Sequence, residues 1–305
     1  RSIFIGRAIK DVSYWWQEIL QLNPSSSCYS DDPLYSTWYN FHQKPTQALI
    51  EKELKIAKNI GLKTVILDDG WQFDGNGIGD YSKCGDWKIS TEKFPDFTSF
   101  INLVHSLNMK LMLWFPVPFV GKDTNDYLRF KDKCLYFDNA GVLDVRYKEV
   151  REYIINIYTT FINKYDIDGL KLDFIDSFKM MNESPKYNNN MDINNVEEAV
   201  CVLLEKINEK TNLIKQNFLI EFRQYYIGAE IVKFCNMLRV MDTAYDSQTN
   251  RIGIIDLRMS HPFTSIHSDM LLWSKKESPE NIMIQLLDVI FSVPQISVLL
   301  TQSSE

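Results

Sequence analysis

Along this chain, short runs of apolar, β-branched and aromatic residues alternate with longer segments in which apolar positions recur every three or four residues. The short runs read as strands and the long ones as amphipathic helices, and their alternation predicts parallel β/α units. Strands are expected at 35–40 (YSTWYN), 64–69 (TVILDD), 111–115 (LMLWF), 170–174 (LKLDF), 218–222 (FLIEF), 237–242 (MLRVMD), 264–269 (TSIHSD) and 296–300 (ISVLL). That is the number of strands that closes a (β/α)8 TIM barrel. In 46–61 (TQALIEKELKIAKNIG), Ile50, Leu54 and Ala57 share one face, with Gly61 where a helix ends; 150–165 repeats the period with Val150, Ile154, Ile157 and Phe161, and 280–291 fills the gap before the last strand. Two connections, 70–94 and 174–193, are longer than compact barrels usually need, which predicts a functional or mobile role for them. There is no internal repeat or linker, so residues 1–305 are expected to form one domain.

The stretch "GLKLDF" breaks the apolar pattern, with Lys171 and Asp173 inside a run that otherwise reads as core. In an extended strand these two share one face, opposite Leu170, Leu172 and Phe174. A buried charge is costly unless paired or near solvent, so the face carrying them is either a structural salt bridge or the wall of a site.

The other strands bear on that choice, because barrel enzymes build their sites at the C-terminal ends of their strands. Trp38 lies in the first run, Asp68 and Asp69 end the second with Trp71 just beyond, and Trp114 lies in the third. Glu221 and Arg223 end the fifth, Arg239 and Asp242 the sixth, and His267 and Asp269 the seventh. Trp38 and Trp114 also fit as barrel-filling aromatics, and Asp246 and Asp256 as capping or solvated residues; His42 and His105 are assigned to structure, and His261 and Asp176 to loops. What is left is a ring of carboxylates, basic groups and tryptophans about one barrel mouth. Such a mixture suits a sugar: charged groups bond vicinal hydroxyls, indole faces cover the apolar side of a pyranose, and two carboxylates can act as nucleophile and acid.

Composition narrows the partner. A formal charge of −7 and a pI near 5.3 argue against nucleic acid, and the longest apolar stretch, 111–120, is too short to span a bilayer and contains prolines. The five cysteines are scattered with no C-x-x-C, and only His267 offers itself as an imidazole ligand, so no metal and no cofactor is expected. The first residue is Arg1 rather than Met and the last residues follow an apolar run, from which a segment of a longer protein is expected. Localisation is undetermined, with a slight lean to the cytoplasm, and oligomerisation is left open.

The motifs "DDGWQ" (68–72), "GDWKISTEKFPDF" (85–97), "DGLKLDF" (168–174) and "RVMDTAYDSQTNR" (239–251) resemble, in order and strand context, those of the α-galactosidase clan of glycoside hydrolases, most closely family 36, with family 27 as the cousin. The resemblance implies the (β/α)8 catalytic part of a multidomain enzyme that removes terminal α-galactosyl groups from oligosaccharides or glycoconjugates by a retaining, double-displacement mechanism. It implies Asp173 as nucleophile and Asp242 as general acid/base, with Asp246 the rival for the acid. Asp68 and Asp69 would hold O4 and O6 beside Trp38 and Trp71; Lys171 would hold O3 and O4 while its charge helps keep Asp173 ionised; Arg239 would reach the O2 side. Environment points the same way, since Lys171 adjoins Asp173 and should lower its pKa, whereas Asp242 follows Val240 and Met241, a less polar setting that should raise it.

Two stretches depart from family 36. After the fifth strand a Gly- and Cys-rich turn is common, where this chain has "IEFRQYYIGAE" (220–230), and the third strand often ends in a Glu-containing stretch, where this one reads "WFPVPF". Glu221 and Arg223 are assigned to substrate contact on that account, together with Trp114. The alternatives are an α-N-acetylgalactosaminidase or a raffinose-synthase-like transglycosylase on the same barrel and, in another class, a non-catalytic carbohydrate-binding barrel.

Overall fold

The computed structural model describes residues 2–19, 21–72 and 79–303; part of the long 70–94 connection lies outside the described residues. Eight parallel strands make one sheet: Leu34–Ser36, Thr64–Leu67, Lys110–Pro116, Gly169–Asp173, Leu219–Arg223, Met237–Arg239, Ser265–His267 and Gln295–Ile296. These are called the first to eighth barrel strands below. Each pairs with the next from the first to the seventh, and the eighth pairs with the first through Leu34 and Gln295. The ring closes at a parallel bridge between His267 and Val293, just before the eighth strand. Every expected strand is present, and the fold is a (β/α)8 barrel.

Helices cover the outside, including Gln47–Asn59, Phe97–Ser106, Lys148–Tyr165, Val196–Ile214, Ser247–Ser260 and Pro279–Asp288. Several start at side chains that accept a backbone N–H three residues on: Asp96 from Ser99, Asn195 from Glu198, Asp246 from Thr249 and Ser278 from Asn281. Between the fifth and sixth strands a short 3-10 turn, Ile231–Phe234, stands in the helix position. No described helix is long and apolar enough to cross a membrane.

Alternation along the strands separates two cores. Leu34, Ile66, Met112, Leu219 and Met237 are buried together inside the barrel, while Val65, Leu67, Leu111, Leu113, Leu170, Leu172, Ile220 and Phe222 pack outward under the helices. Two residues beyond each inward apolar position, the same face carries Ser36, Asp68, Trp114, Glu221 and Arg239, and Gly169 is followed at the same spacing by Lys171 and Asp173. The barrel interior is therefore apolar at its base and polar at the C-terminal mouth.

Some expected boundaries change. The first strand stops at Ser36, and Trp38 belongs to a four-residue helix, Trp38–Phe41; the second stops at Leu67 and the sixth at Arg239. Asp68, Asp69 and Asp242 thus lie just past their strands, where backbone groups find other partners, as Asp68 N does by donating to Thr37 Oγ1 at 3.0 Å. A three-stranded antiparallel sheet, Phe119–Val120, Cys134–Phe137 and Gly141–Leu143, is inserted after the third barrel strand. Its strands are too short to show an apolar alternation in the sequence.

Candidate active site

At the mouth, one pocket is lined by Trp38, Asp68, Asp69, Tyr81, Trp114, Lys171, Asp173, Phe174, Arg223, Arg239, Asp242 and Met270. The strands bring together all of the expected site residues except Trp71 and Glu221.

Asp173 ends the fourth strand. Its Oδ1 accepts hydrogen bonds from Arg223 Nε at 2.6 Å and from Phe174 N at 2.8 Å, and its Oδ2 accepts from Trp114 Nε1 at 3.0 Å. Burial would raise its pKa, but Arg223, then Lys171 and the Trp114 bond, outweigh it and hold the carboxyl below the ordinary value. Arg223 is thus the stronger cation, and Lys171 adds to it, in line with the expectation that its charge helps keep Asp173 ionised. Lys171 Nζ also lies 2.6 Å from Asp68 Oδ2, both side chains being nearly inaccessible. Removing one partner of such a pair strands the other, at a cost on the order of 3–5 kcal/mol.

Asp69 is held differently. Gln43 Nε2 and Gln72 Nε2 each donate to it at 2.8 Å, yet burial dominates and lifts its pKa to about 6. Asp68 accepts in addition from the Asp69 backbone N–H at 3.0 Å and from Ser36 Oγ at 3.3 Å.

The sixth strand delivers Arg239, fully buried, which binds three carboxylates: Asp269 through Nη1, Asp242 through Nη2 at 2.9 Å, and Glu221, whose Oε1 is 3.7 Å from Nε. Asp269 also accepts from Thr243 N, so the loop carrying Asp242 is anchored at both ends of this network. Asp242 has a side chain that is 64% exposed at the rim. Partial desolvation pulls its pKa up, but Arg239, followed by Arg223 and Lys171, brings it down to about 2. The apolar neighbours Val240 and Met241 do not set its environment, because one is buried in the core and the other packs against it, while the carboxylate faces the guanidinium. The expected raised pKa is therefore reversed. Asp246 caps the helix Ser247–Ser260.

Glu221 is completely buried, accepts from Gln295 Nε2 at 2.6 Å and lies behind Arg239; it is a countercharge below the pocket, which corrects its assignment to substrate contact. Trp71 is also corrected. It is 0% exposed, packs against Phe115 and Phe161 and donates from Nε1 to the Trp114 carbonyl at 3.0 Å. The turn before it requires Gly70, whose φ is +107° and where a Cβ would lie only 2.6 Å from Gln43 Cα.

Three lining residues were not anticipated. Phe174 leaves the strand with φ +60°, so its ring turns into the pocket rather than joining Leu170 and Leu172. Tyr81 stacks on Trp114 at 6.4 Å and meets Phe174 edge-on at 5.2 Å, and Phe119 of the inserted sheet backs both rings. Met270 follows Asp269. Only the position of Tyr81 in a long loop beside the site could have marked it.

A (β/α)8 barrel with a carboxylate-rich, aromatic-walled pocket at the strand C-termini defines an enzyme-like class of sugar site. The Melibiase family model matches residues 32–221, and the chain belongs to that family. It is 30% identical over 158 residues to alpha-galactosidase Mel36A of Lactobacillus acidophilus, a match covering 49% of this chain and 21% of that protein. The chain thus spans about a fifth of the length of that curated relative. The crystal structure of the GH36 alpha-galactosidase AgaA of Geobacillus stearothermophilus superposes with a TM-score of 0.78 at 16% identity, over 96% of this chain and 42% of that one. The alpha-galactosidase TtGalA of Thermus thermophilus in complex with stachyose superposes with a TM-score of 0.69 at 15% identity, over 96% of this chain and 66% of that one.

Proposed function

We propose that residues 1–305 form the catalytic barrel of a retaining, exo-acting hydrolase that releases terminal α-galactosyl groups, with Asp173 as nucleophile and Asp242 as general acid/base. The observation that carries the reading is that the two aspartates line one pocket with Asp68, Asp69 and Lys171, in a chain of the Melibiase family. The stachyose bound by the Thermus thermophilus neighbour and the alpha-galactosidase names of the relatives support an α-galactoside oligosaccharide as substrate.

In this reading Asp68, Asp69 and Lys171 bind the sugar hydroxyls, and Trp38, Tyr81, Trp114 and Phe174 supply the apolar wall. Asp173 attacks the anomeric carbon as the bond to the leaving oxygen breaks, and that oxygen takes the bonding pair and a proton from Asp242. Water then attacks the same carbon, gives its proton to Asp242, and the ester bond returns its electron pair to Asp173. With partial desolvation outweighed by Arg239 and its pKa held at about 2, Asp242 is an anion suited to the second step. For the first it must gain a proton, and a sugar that expels water from the rim favours this by desolvation.

The test is a panel of aryl α-galactoside, aryl α-N-acetylgalactosaminide and aryl α-glucoside. Turnover of the galactoside well above the other two is expected. Preference for the N-acetylated substrate would redirect the reading to that sugar, and no turnover of any of the three would overturn it.

A further inference from the structure

The candidate nucleophile is held by a cation that does not come from its own strand. Arg223, at the end of the fifth barrel strand, donates from Nε to Asp173 Oδ1 at 2.6 Å. The guanidinium is itself fixed: Nη1 donates to the Gln224 carbonyl at 2.9 Å, and the group lies 5.4 Å from the Phe174 ring centroid and 5.6 Å from that of Tyr226. Tyr226 is tied back in turn, its hydroxyl donating to the Leu172 carbonyl at 2.5 Å. With the Phe174 N–H also on Oδ1, that oxygen accepts two hydrogen bonds, while Oδ2 accepts one, from Trp114 Nε1. Two acceptor sites per carboxylate oxygen leave Oδ2 as the atom with a free lone pair.

We infer that Arg223 is a positioning residue for Asp173, holding the carboxylate by Oδ1 so that Oδ2 makes the bond to the sugar, and favouring the second chemical step over the first. The inference rests on the proposed role of Asp173. Attack removes negative charge from the carboxylate, so a guanidinium on Oδ1 resists formation of the ester. In the second step the carboxylate departs, and the same guanidinium stabilises the charge that returns to it. Lys171 adds a smaller effect of the same sign at Asp173, but its ammonium donates to Asp68.

The test follows Asp173 itself and the reaction. In the full chain with 13C-labelled aspartate, the Asp173 carboxyl resonance, assigned by its loss in Asp173→Asn, is titrated in wild type, Arg223→Gln and Arg223→Lys. Arg223→Gln should raise the Asp173 pKa by about 1–3 units, the usual effect of losing an adjacent opposite charge, and Arg223→Lys should restore most of the shift. With dinitrophenyl α-galactoside, whose leaving group needs no proton, the acid limb of kcat/KM should move to higher pH in Arg223→Gln, and kcat should fall more than kcat/KM. An Asp173 titration that is the same in all three proteins overturns the inference and leaves the hydrolase reading intact. A wild-type protein inert toward every α-galactoside overturns the hydrolase reading, and with it the catalytic half of the inference.

Discussion

Asp168 and Asp173 stand at opposite ends of one stretch of chain, Asp168 just before the fourth barrel strand and Asp173 at its last residue. Both are buried and both carry lowered pKa values. Asp168 is surrounded by structural partners: its carboxylate meets His105 Nε2 at 2.8 Å, accepts from Leu111 N at 2.9 Å, and lies 3.0 Å from Lys215 Nζ and 3.3 Å from Lys110 Nζ. Its backbone also joins the third and fifth strands, with Asp168 N donating to Leu111 O and Leu219 N donating to Asp168 O. Asp173 has fewer partners, and one side of it faces the pocket. A depressed carboxylate is therefore not a site marker on its own; the same electrostatics serve as a clip at the base of the barrel and as a reactive group at the mouth.

Substitutions should separate the two roles. Asp173→Ala should lower kcat/KM of the folded protein on every α-galactoside by about 10⁴-fold or more, roughly 5 kcal/mol of barrier. Asp242→Ala should differ in kind: dinitrophenyl galactoside should still form the covalent intermediate, and azide should speed turnover to the α-galactosyl azide. Identical behaviour of the two variants with all leaving groups would show that the roles are misassigned.

At the hydroxyl-binding side, Asp69→Asn keeps the shape of the residue and leaves the Lys171–Asp68 pair in place, so it should fold. Loss of a charge-assisted hydrogen bond is on the order of 1.5–3 kcal/mol, or about a 10- to 150-fold drop in kcat/KM for galactosides. Wild-type kinetics in the folded variant would remove Asp69 from the recognition set.

Asp168→Asn should do the reverse of Asp173→Ala, leaving the activity of each folded molecule unchanged and lowering stability by about 2 kcal/mol at neutral pH. In the folded protein burial raises the Asp168 pKa, and His105, the Leu111 N–H and the two lysines outweigh it, bringing the group from 3.8 to about 2. A folded-state pKa below the unfolded one gives stability that is present above about pH 4 and is lost as pH falls toward 2. The gap in denaturant stability between wild type and variant should therefore close over that window. A gap independent of pH would mean that packing, not charge, ties the base of the barrel together.

Much of this was legible in the chain. Strand runs, helical periods and turn residues are local signals, and the places where charged residues interrupted apolar runs marked the mouth of the barrel, including Asp68, Lys171, Asp173 and Arg239. The misplaced residues share a physical origin. Trp71 and Glu221 each lie two residues from a pocket residue: Trp71 follows the Gly70 turn into the barrel wall, and Glu221, on the inward face, sits one layer deeper, level with Met237 and below Arg239. Phe174 looked like core until a left-handed backbone conformation took it out of the strand.

Apolar periodicity, set by the backbone repeat of each element, was enough by itself to point to eight β/α units and their order along the chain, and the motifs at 68–72, 85–97, 168–174 and 239–251 carried the family resemblance. Which cation meets which carboxylate was decided only by the tertiary structure. Lys171 is two residues from Asp173 in sequence but pairs with Asp68, 2.6 Å away across the mouth, whereas Asp173 receives Arg223 from the next strand. Lys171 and Asp173 share a face but stand one layer apart along the strand, and closure of the barrel brings side chains from other strands within hydrogen-bonding reach of each. The strength of an ion pair depends on that distance and on burial, and neither is a property of sequence spacing.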